Sequence, residues 1–273
     1  NDSYYVDSAG DSVTESNASS TTGGIDLVYS SLPAYTLGAD VENGRILAAA
    51  AANLSGNALD NLLYAGTGSN LLDGADGNDT LSYLYGASSG VSVSLGLSGP
   101  QATGGSGSDT LAGIEHLIGS THADTLVGDG NANRLEGGNG NDTLAGGAGN
   151  DTLLGGGGND SLTGGLGADV FRFDTLPNAA TNRDTIGDFD TLDDTIELEN
   201  AVFSSLAAGT LAAGSFRAGA GVSAAADADD YLIYDTSSGA LYYDAAGNVG
   251  AGPVQIATLA SGLTLSHLDF VIT

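Results

Sequence analysis

An acidic or amide side chain recurs every nine residues through the middle of this chain, two positions ahead of a large apolar residue and behind a run of glycines. Residues 137–171 read GGNGNDTLAGGAGNDTLLGGGGNDSLTGGLGADVF, which is G-G-x-G-x-D-x-U-x with U large and apolar. The sixth position holds Glu115, Asp124, Asn133, Asp142, Asp151, Asp160 and Asp169. The eighth holds Leu117, Leu126, Leu135, Leu144, Leu153, Leu162 and Phe171. Looser copies carry Asn70 with Leu72, Asp79 with Leu81 and Asp109 with Leu111. Carboxylates at fixed spacing among glycine carbonyls supply oxygen ligands, the chemistry of a hard divalent cation.

Other chemistries find little support. With 34 Asp+Glu against 5 Lys+Arg the net charge is −29, which excludes nucleic-acid binding through phosphates and favours cations. The absence of cysteine removes disulfides and thiolate metal sites. His116 and His122 are six residues apart on successive repeats, His267 is remote, and no metal pattern joins them. Ser88 lies in GASSG, a G-x-S-x-G match, but its flanks read as strands on both sides, whereas a nucleophile elbow needs strand, turn and helix. Paired carboxylates can hydrolyse glycosides, but here a bound cation accounts for their spacing. No catalytic residue is assigned and no enzyme activity is expected. The longest apolar run, ILAAAAA at 46–52, falls short of the roughly 18 residues of a membrane span.

A nine-residue period is too short for a helical hairpin, and a fixed short period implies a solenoid. The residues around U form a short strand and the six before it a turn, where glycine permits positive φ and close approach. Two units make one coil, stacked on the next at roughly 4.8 Å. Leu117, Leu135, Leu153 and Phe171 then line one sheet, and Leu126, Leu144 and Leu162 the other. The acids stack likewise, and like charges so close need a cation between them. Ca²⁺ suits the donor set better than Mg²⁺, which demands tighter octahedral geometry. The best pairs are Asp142 with Asp160 and Asp151 with Asp169, whose turns keep the glycine pattern; Ala168 occupies a position the pattern leaves free. Sites at Asp124, whose turn reads GSTHAD, and beside Asn133 are expected to be weaker. Those at Asp79 and Asp109 are isolated.

These residues resemble the RTX family of secreted bacterial proteins over 57–174. The stretches 81–95 and 104–120 resemble the linkers between its β-roll blocks, as do 6–16 and 35–43. The resemblance implies an all-β fold: a parallel β-roll with Ca²⁺ between stacked turns, followed by a β-rich cap. It divides the chain into an irregular β segment (1–56), a first short roll block with linker (57–103), the main roll (104–174) and a C-terminal cap (175–273). It also implies carbonyl ligands from Gly137, Asn139, Gly156 and Gly158 for one ion, and from Gly146, Ala148, Gly165 and Gly167 for another.

Beyond Asp174 the period stops. Residues 182–203 resemble the cap of serralysin-like proteins, where Asp184, Asp188, Asp190 and Asp193 either form a further calcium site or are solvated turn carboxylates. The zinc motif H-E-x-x-H of serralysin-like proteases is absent from the chain. Residues 231–249 read as a hairpin with Tyr231, Tyr234, Tyr242 and Tyr243 as packing. The end, SHLDFVIT, resembles an uncleaved type I secretion signal or is a final strand. With no initiator Met, the sequence then reads as the tail of a longer protein. The expected function is a calcium-binding module that folds outside the cell, its partners being calcium and the type I secretion apparatus. Two alternatives stand beside it. One is a self-assembling surface-layer, biofilm or filament protein, with self-association or cell-surface polysaccharide as its contacts. The other is the C-terminal part of a secreted hydrolase or lyase.

Overall fold

Strands of two to six residues, most carrying one to three buried apolar side chains, cannot stand alone; they gain stability only by stacking. The computed structural model describes residues 1–15, 24–250 and 252–273, so residue 16 of the stretch 6–16 lies outside it. The fold is an all-β parallel roll, and among the described residues the only helical turns are two short 3₁₀ segments. The chain divides into two compact units, Asn1–Asp129 and Gly130–Thr273.

In the first unit, Ser3–Val6, Leu27–Ser30, Asn43–Ile46, Leu62–Tyr64, Thr80–Ser82 and His116–Ile118 pair in parallel, in that order. A second parallel set runs Ala34–Thr36, Ala52–Ser55, Asn70–Asp73 and Gly107–Ala112. Ser92–Ser94 pairs with Thr125–Val127. Leu63, Leu81 and Leu117 stack in register at 0% exposure, as do Leu54 and Leu72. Outside the roll, Tyr5 stacks on Tyr29 at 4.8 Å, and the Arg45 guanidinium lies 4.1 Å from the Tyr85 ring centre.

In the second unit, Arg134–Asn139, Thr152–Gly157, Val170–Phe173, Thr195–Leu198 and Phe270–Ile272 form one parallel set, closed by antiparallel Gly209–Thr210. Thr143–Ala148, Ser161–Leu166, Asp184–Ile186 and Val254–Thr258 form the other. The last of these continues into antiparallel Ala240–Tyr243 and Leu232–Asp235, the expected hairpin, with Tyr234 and Tyr243 buried. The apolar rows Leu135–Leu153–Phe171–Ile196–Phe270 and Leu144–Leu162–Ile186 are almost wholly buried. Full burial of such a side chain is worth about 1.5–3 kcal/mol. The final residues are therefore an interior strand of the sheet, and Ser266 and Asp269 cap the turn that enters it.

Candidate metal centres

In the glycine-patterned repeats each strand is entered from a glycine turn that places the sixth-position side chain inside. Asp142, Asp151, Asp160 and Asp169 are 1–2% exposed, and Asp79, Asp109 and Asp124 are equally buried. Carboxylates lose hydration on burial and need compensation. One oxygen finds it in the neighbouring coil. Asp142 N donates to Asp160 Oδ1 at 2.8 Å, Asp151 N to Asp169 Oδ1 at 2.9 Å, and Asn133 N to Asp151 Oδ1 at 2.7 Å. The first unit repeats the bond: Asn61 N to Asp79 Oδ1 at 2.7 Å, and Asp79 N to Glu115 Oε2 at 2.7 Å.

The second oxygen separates the candidates. Oδ2 of Asp79, Asp160 and Asp169 is buried and accepts no hydrogen bond. Each points at the first glycine of its own turn: a Cβ on Gly74, Gly155 or Gly164 would overlap it. Oδ2 of Asp142 and Asp151 stands in the same relation to Gly137 and Gly146. Asp109 and Asp124 differ. Asp109 Oδ1 accepts from Asn70 N at 2.8 Å and Oδ2 from Thr103 Oγ1 at 3.2 Å. Asp124 Oδ1 accepts from Val91 N at 2.7 Å and Oδ2 from Ser120 N at 2.6 Å. Protein donors there occupy the position that Asp79, Asp160 and Asp169 leave open.

The turns stack closely enough that side chains are excluded. Gly156 and Gly158 have φ of +91° and +150°, and a Cβ on either would overlap the carbonyl oxygen of Gly138 or Gly140 in the preceding coil. Gly165 and Gly167 stand likewise against Gly147 and Gly149. The turn of Gly137 and Asn139 is thus brought onto the turn of Gly156 and Gly158, and that of Gly146 and Ala148 onto that of Gly165 and Gly167. The donors gathered are carboxylate and carbonyl oxygens, a set that fits a hard cation.

Sequence reasoning missed two features. Position five is not free in the repeats: Asn159 N donates to Asn141 Oδ1 at 2.8 Å, Ala168 N to Asn150 Oδ1 at 3.0 Å and Arg183 N to Asn159 Oδ1 at 3.0 Å. The recurrent Asn-Asp dipeptide was the available signal. The acidic ladder also extends outside the repeats: Asp2 N donates to Asp26 Oδ1 at 2.6 Å and Asp26 N to Glu42 Oε2 at 2.9 Å. Asp2, Glu15 and Asp26 converge within 4.8 Å of one another.

Of the residues weighed for catalysis, Ser88 sits in a bend with no helix after it, and its hydroxyl donates to Gly105 O at 3.3 Å. His116 Nε2 lies 2.9 Å from Asn78 Nδ2.

Burial pushes the Asp160 and Asp169 carboxyls above the usual range. Asp79 rises to about 6 through burial, opposed by the Asn61 amide. Asp109 also rises to about 6 through burial, opposed by the Asn70 amide. Without a counter-ion the roll thus holds its acids at a penalty, which bound cations remove.

The RTX calcium-binding nonapeptide repeat matches the chain four times, at residues 54–83, 111–144, 118–153 and 136–171. No curated protein matches the chain. Among solved structures, the chain is 31% identical to the AlgE6R3 subunit of the Azotobacter vinelandii mannuronan C5-epimerase, over 55% of this chain and 78% of that one, with a TM-score of 0.38. It is 26% identical to the AlgE6R2 subunit, over 56% and 89%, with a TM-score of 0.37. It is 16% identical to the extracellular lipase LipA of Serratia marcescens, over 94% of this chain but 46% of that one, with a TM-score of 0.33. Four copies of the repeat, set on a parallel roll whose stacked turns gather the oxygens Ca²⁺ requires, make this chain a member of the RTX calcium-binding family.

Proposed function

We propose that the chain is a non-catalytic extracellular module that passes through a type I secretion apparatus unfolded and folds when it binds calcium outside the cell. The observation that carries this reading is the buried, donorless Oδ2 of Asp79, Asp160 and Asp169. Asp142, Asp151, Asp160 and Asp169 are the main ligands, with carbonyls of the turns 137–140, 146–149, 155–158 and 164–167. Asp79 with Glu115 forms a further site, and Asp109 and Asp124 are hydrogen-bonded substitutes that bind weakly.

Calcium then acts as a folding switch. Strands this short gain too little from burial to overcome backbone entropy in a glycine-rich, acidic chain. Metal-binding free energy becomes folding free energy. Extracellular calcium modules bind at about 10⁻⁴–10⁻³ M, far above cytosolic calcium, so the chain stays export-competent inside and folds outside. The final strand, Phe270–Ile272, lies in the sheet of the folded state and is accessible to an exporter only before folding.

A calcium titration followed by circular dichroism and mass measurement tests the reading. Strand signal should appear with calcium and vanish in chelator. A signal already complete in chelator refutes the switch, and large assemblies that form reversibly with calcium would favour a lattice protein instead.

A further inference from the structure

The side chains most open to oxidation in other proteins are missing from this one. Cys, Met and Trp are all absent, which leaves the 11 tyrosines as its principal oxidisable groups. Tyr83, Tyr234 and Tyr243 are buried, and Tyr5 and Tyr85 are exposed, at 71% and 55%. Tyr4, on the other face of its strand from Tyr5, donates its hydroxyl to Glu15.

Tyr5 lies in Ser3–Val6, the outermost strand of its sheet, which among the described residues pairs only with Leu27–Ser30. A strand held by a single ladder belongs to the least stable part of a fold. The register sets Tyr5 directly opposite Tyr29. Their rings stack with centres 4.8 Å apart and planes within 11°, so the two phenols face each other. The same row continues through Arg45 to Tyr64. The Arg45 guanidinium, 5.9 Å from the Tyr29 ring, separates the stacked pair from the next phenol. Tyr64 and Tyr85 also touch, but their rings are tilted by 47° at 5.3 Å, and Arg45 lies 4.1 Å from the Tyr85 ring centre. Tyr5 and Tyr29 are therefore an isolated, nearly parallel pair with one member open to solvent.

We propose that Tyr5 and Tyr29 form an oxidative cross-linking site, joined ring to ring by hydrogen peroxide and an oxidant of the peroxidase class. Each phenol gives up one electron and its hydroxyl proton. The two phenoxyl radicals couple through a bond between ring carbons ortho to oxygen, the Cε atoms. The hydrogens on those carbons then move to the oxygens and restore both phenols. The peroxide takes up the two electrons and two protons and leaves as two waters. The product is a dityrosine that closes the chain from residue 5 to residue 29. It pins the outermost strand to its neighbour in a chain that has no cysteine for a disulfide. A backbone cut between residues 7 and 26 would then no longer release that strand. The site goes beyond the calcium reading and does not depend on it.

The full chain, dilute and at saturating calcium, is treated with a peroxidase and hydrogen peroxide. Intact mass, dityrosine fluorescence and fragment mapping after proteolysis read the result. The expected product is a monomer lighter by two hydrogens, linked between Tyr5 and Tyr29. Tyr5→Phe and Tyr29→Phe keep the stacked rings and remove one phenol. Each should lower the yield about tenfold or more, as should unfolding the chain in urea, because the fold supplies the alignment. Tyr64→Phe should leave the yield unchanged. Equal yield in urea would make the link a chance encounter and overturn the site. A link mapped to Tyr64 and Tyr85, dimers through Tyr5 with no internal link, or no dityrosine at all would each overturn it too. A chain that takes up no calcium yet forms the internal link would refute the calcium reading and support this site.

Discussion

Asp160→Asn separates a calcium ligand from a merely buried acid. Asp160 Oδ1 accepts from Asp142 N at 2.8 Å, and its buried Oδ2 accepts nothing. An asparagine can keep the first bond through its carbonyl oxygen. It replaces the anionic oxygen with an amide that repels a cation. A site filled at about 100 times its dissociation constant contributes about 2.7 kcal/mol to the folded state, so its loss lowers the folded-to-unfolded ratio about 100-fold. In chelator the sign reverses, because burial disfavours the charged carboxylate and a neutral amide relieves that penalty. Asp109→Asn is the comparison, since protein donors already satisfy both of its oxygens. Its cost is that of weakened hydrogen bonds, about 1–3 kcal/mol, and depends far less on calcium than that of Asp160→Asn. Calcium titrations by circular dichroism, with urea melts at saturating calcium, read both. Equal calcium shifts for the two variants would refute the distinction drawn from the second oxygen.

Gly156→Ala, which would force a Cβ into Gly138 O, should raise the calcium needed for folding at least tenfold, while Gly99→Ala, with open space around it, should not; the midpoint of the same titration decides. Phe171→Ala empties a fully buried position beside the Phe189 ring, 5.9 Å away, and should cost about 3–5 kcal/mol in urea melts without changing the number of ions bound. Asp184 is pushed up to about 8 by burial and then by the Asp160 charge, and Asp79 to about 6 by burial. A carboxyl raised in the fold binds its proton more tightly there than in the unfolded chain, so the metal-free fold is favoured at low pH and loses stability as pH rises through these values. Strand content in chelator should therefore grow as pH falls from about 8 towards 4, and calcium uptake at neutral pH should release protons into weakly buffered solution; a pH-independent metal-free state would contradict this.

The repeat core was legible because its turns cannot vary. From Asp142 to Asp169 every sixth-position carboxylate lies against a first-position glycine with no Cβ, and every coil needs a large apolar residue two places on. The sequence must therefore repeat, and Leu135, Leu153 and Phe171 or Leu144 and Leu162 can be placed in register from spacing alone. The donor accounting was not legible. Thr103 lies six residues before Asp109 and Ser120 four before Asp124, and only the folded chain shows that these side chains take the place of a cation. The asparagines of position five looked like any polar turn residue, although their side chains tie each turn to the next.

The same physics explains why the ends of the roll escape a periodic reading. The ladder asks only for an acid at the head of a strand, with its oxygen toward the previous coil's amide. It places no condition on the length of chain between coils. Inside the repeats that length is held at 18 because both turns of a coil are identical glycine turns. Where a turn of another length is tolerated the interval becomes 24 between Asp2 and Asp26, 16 between Asp26 and Glu42, 36 between Asp79 and Glu115, and 25 between Asp169 and Asp194. The stacking geometry survives the change of interval, whereas the sequence period does not. A search for period finds the turns that glycine builds. A search for acids that head a parallel strand also finds Asp26, Glu42, Asp184 and Asp194, and the chemistry of the roll therefore reaches beyond its repeats.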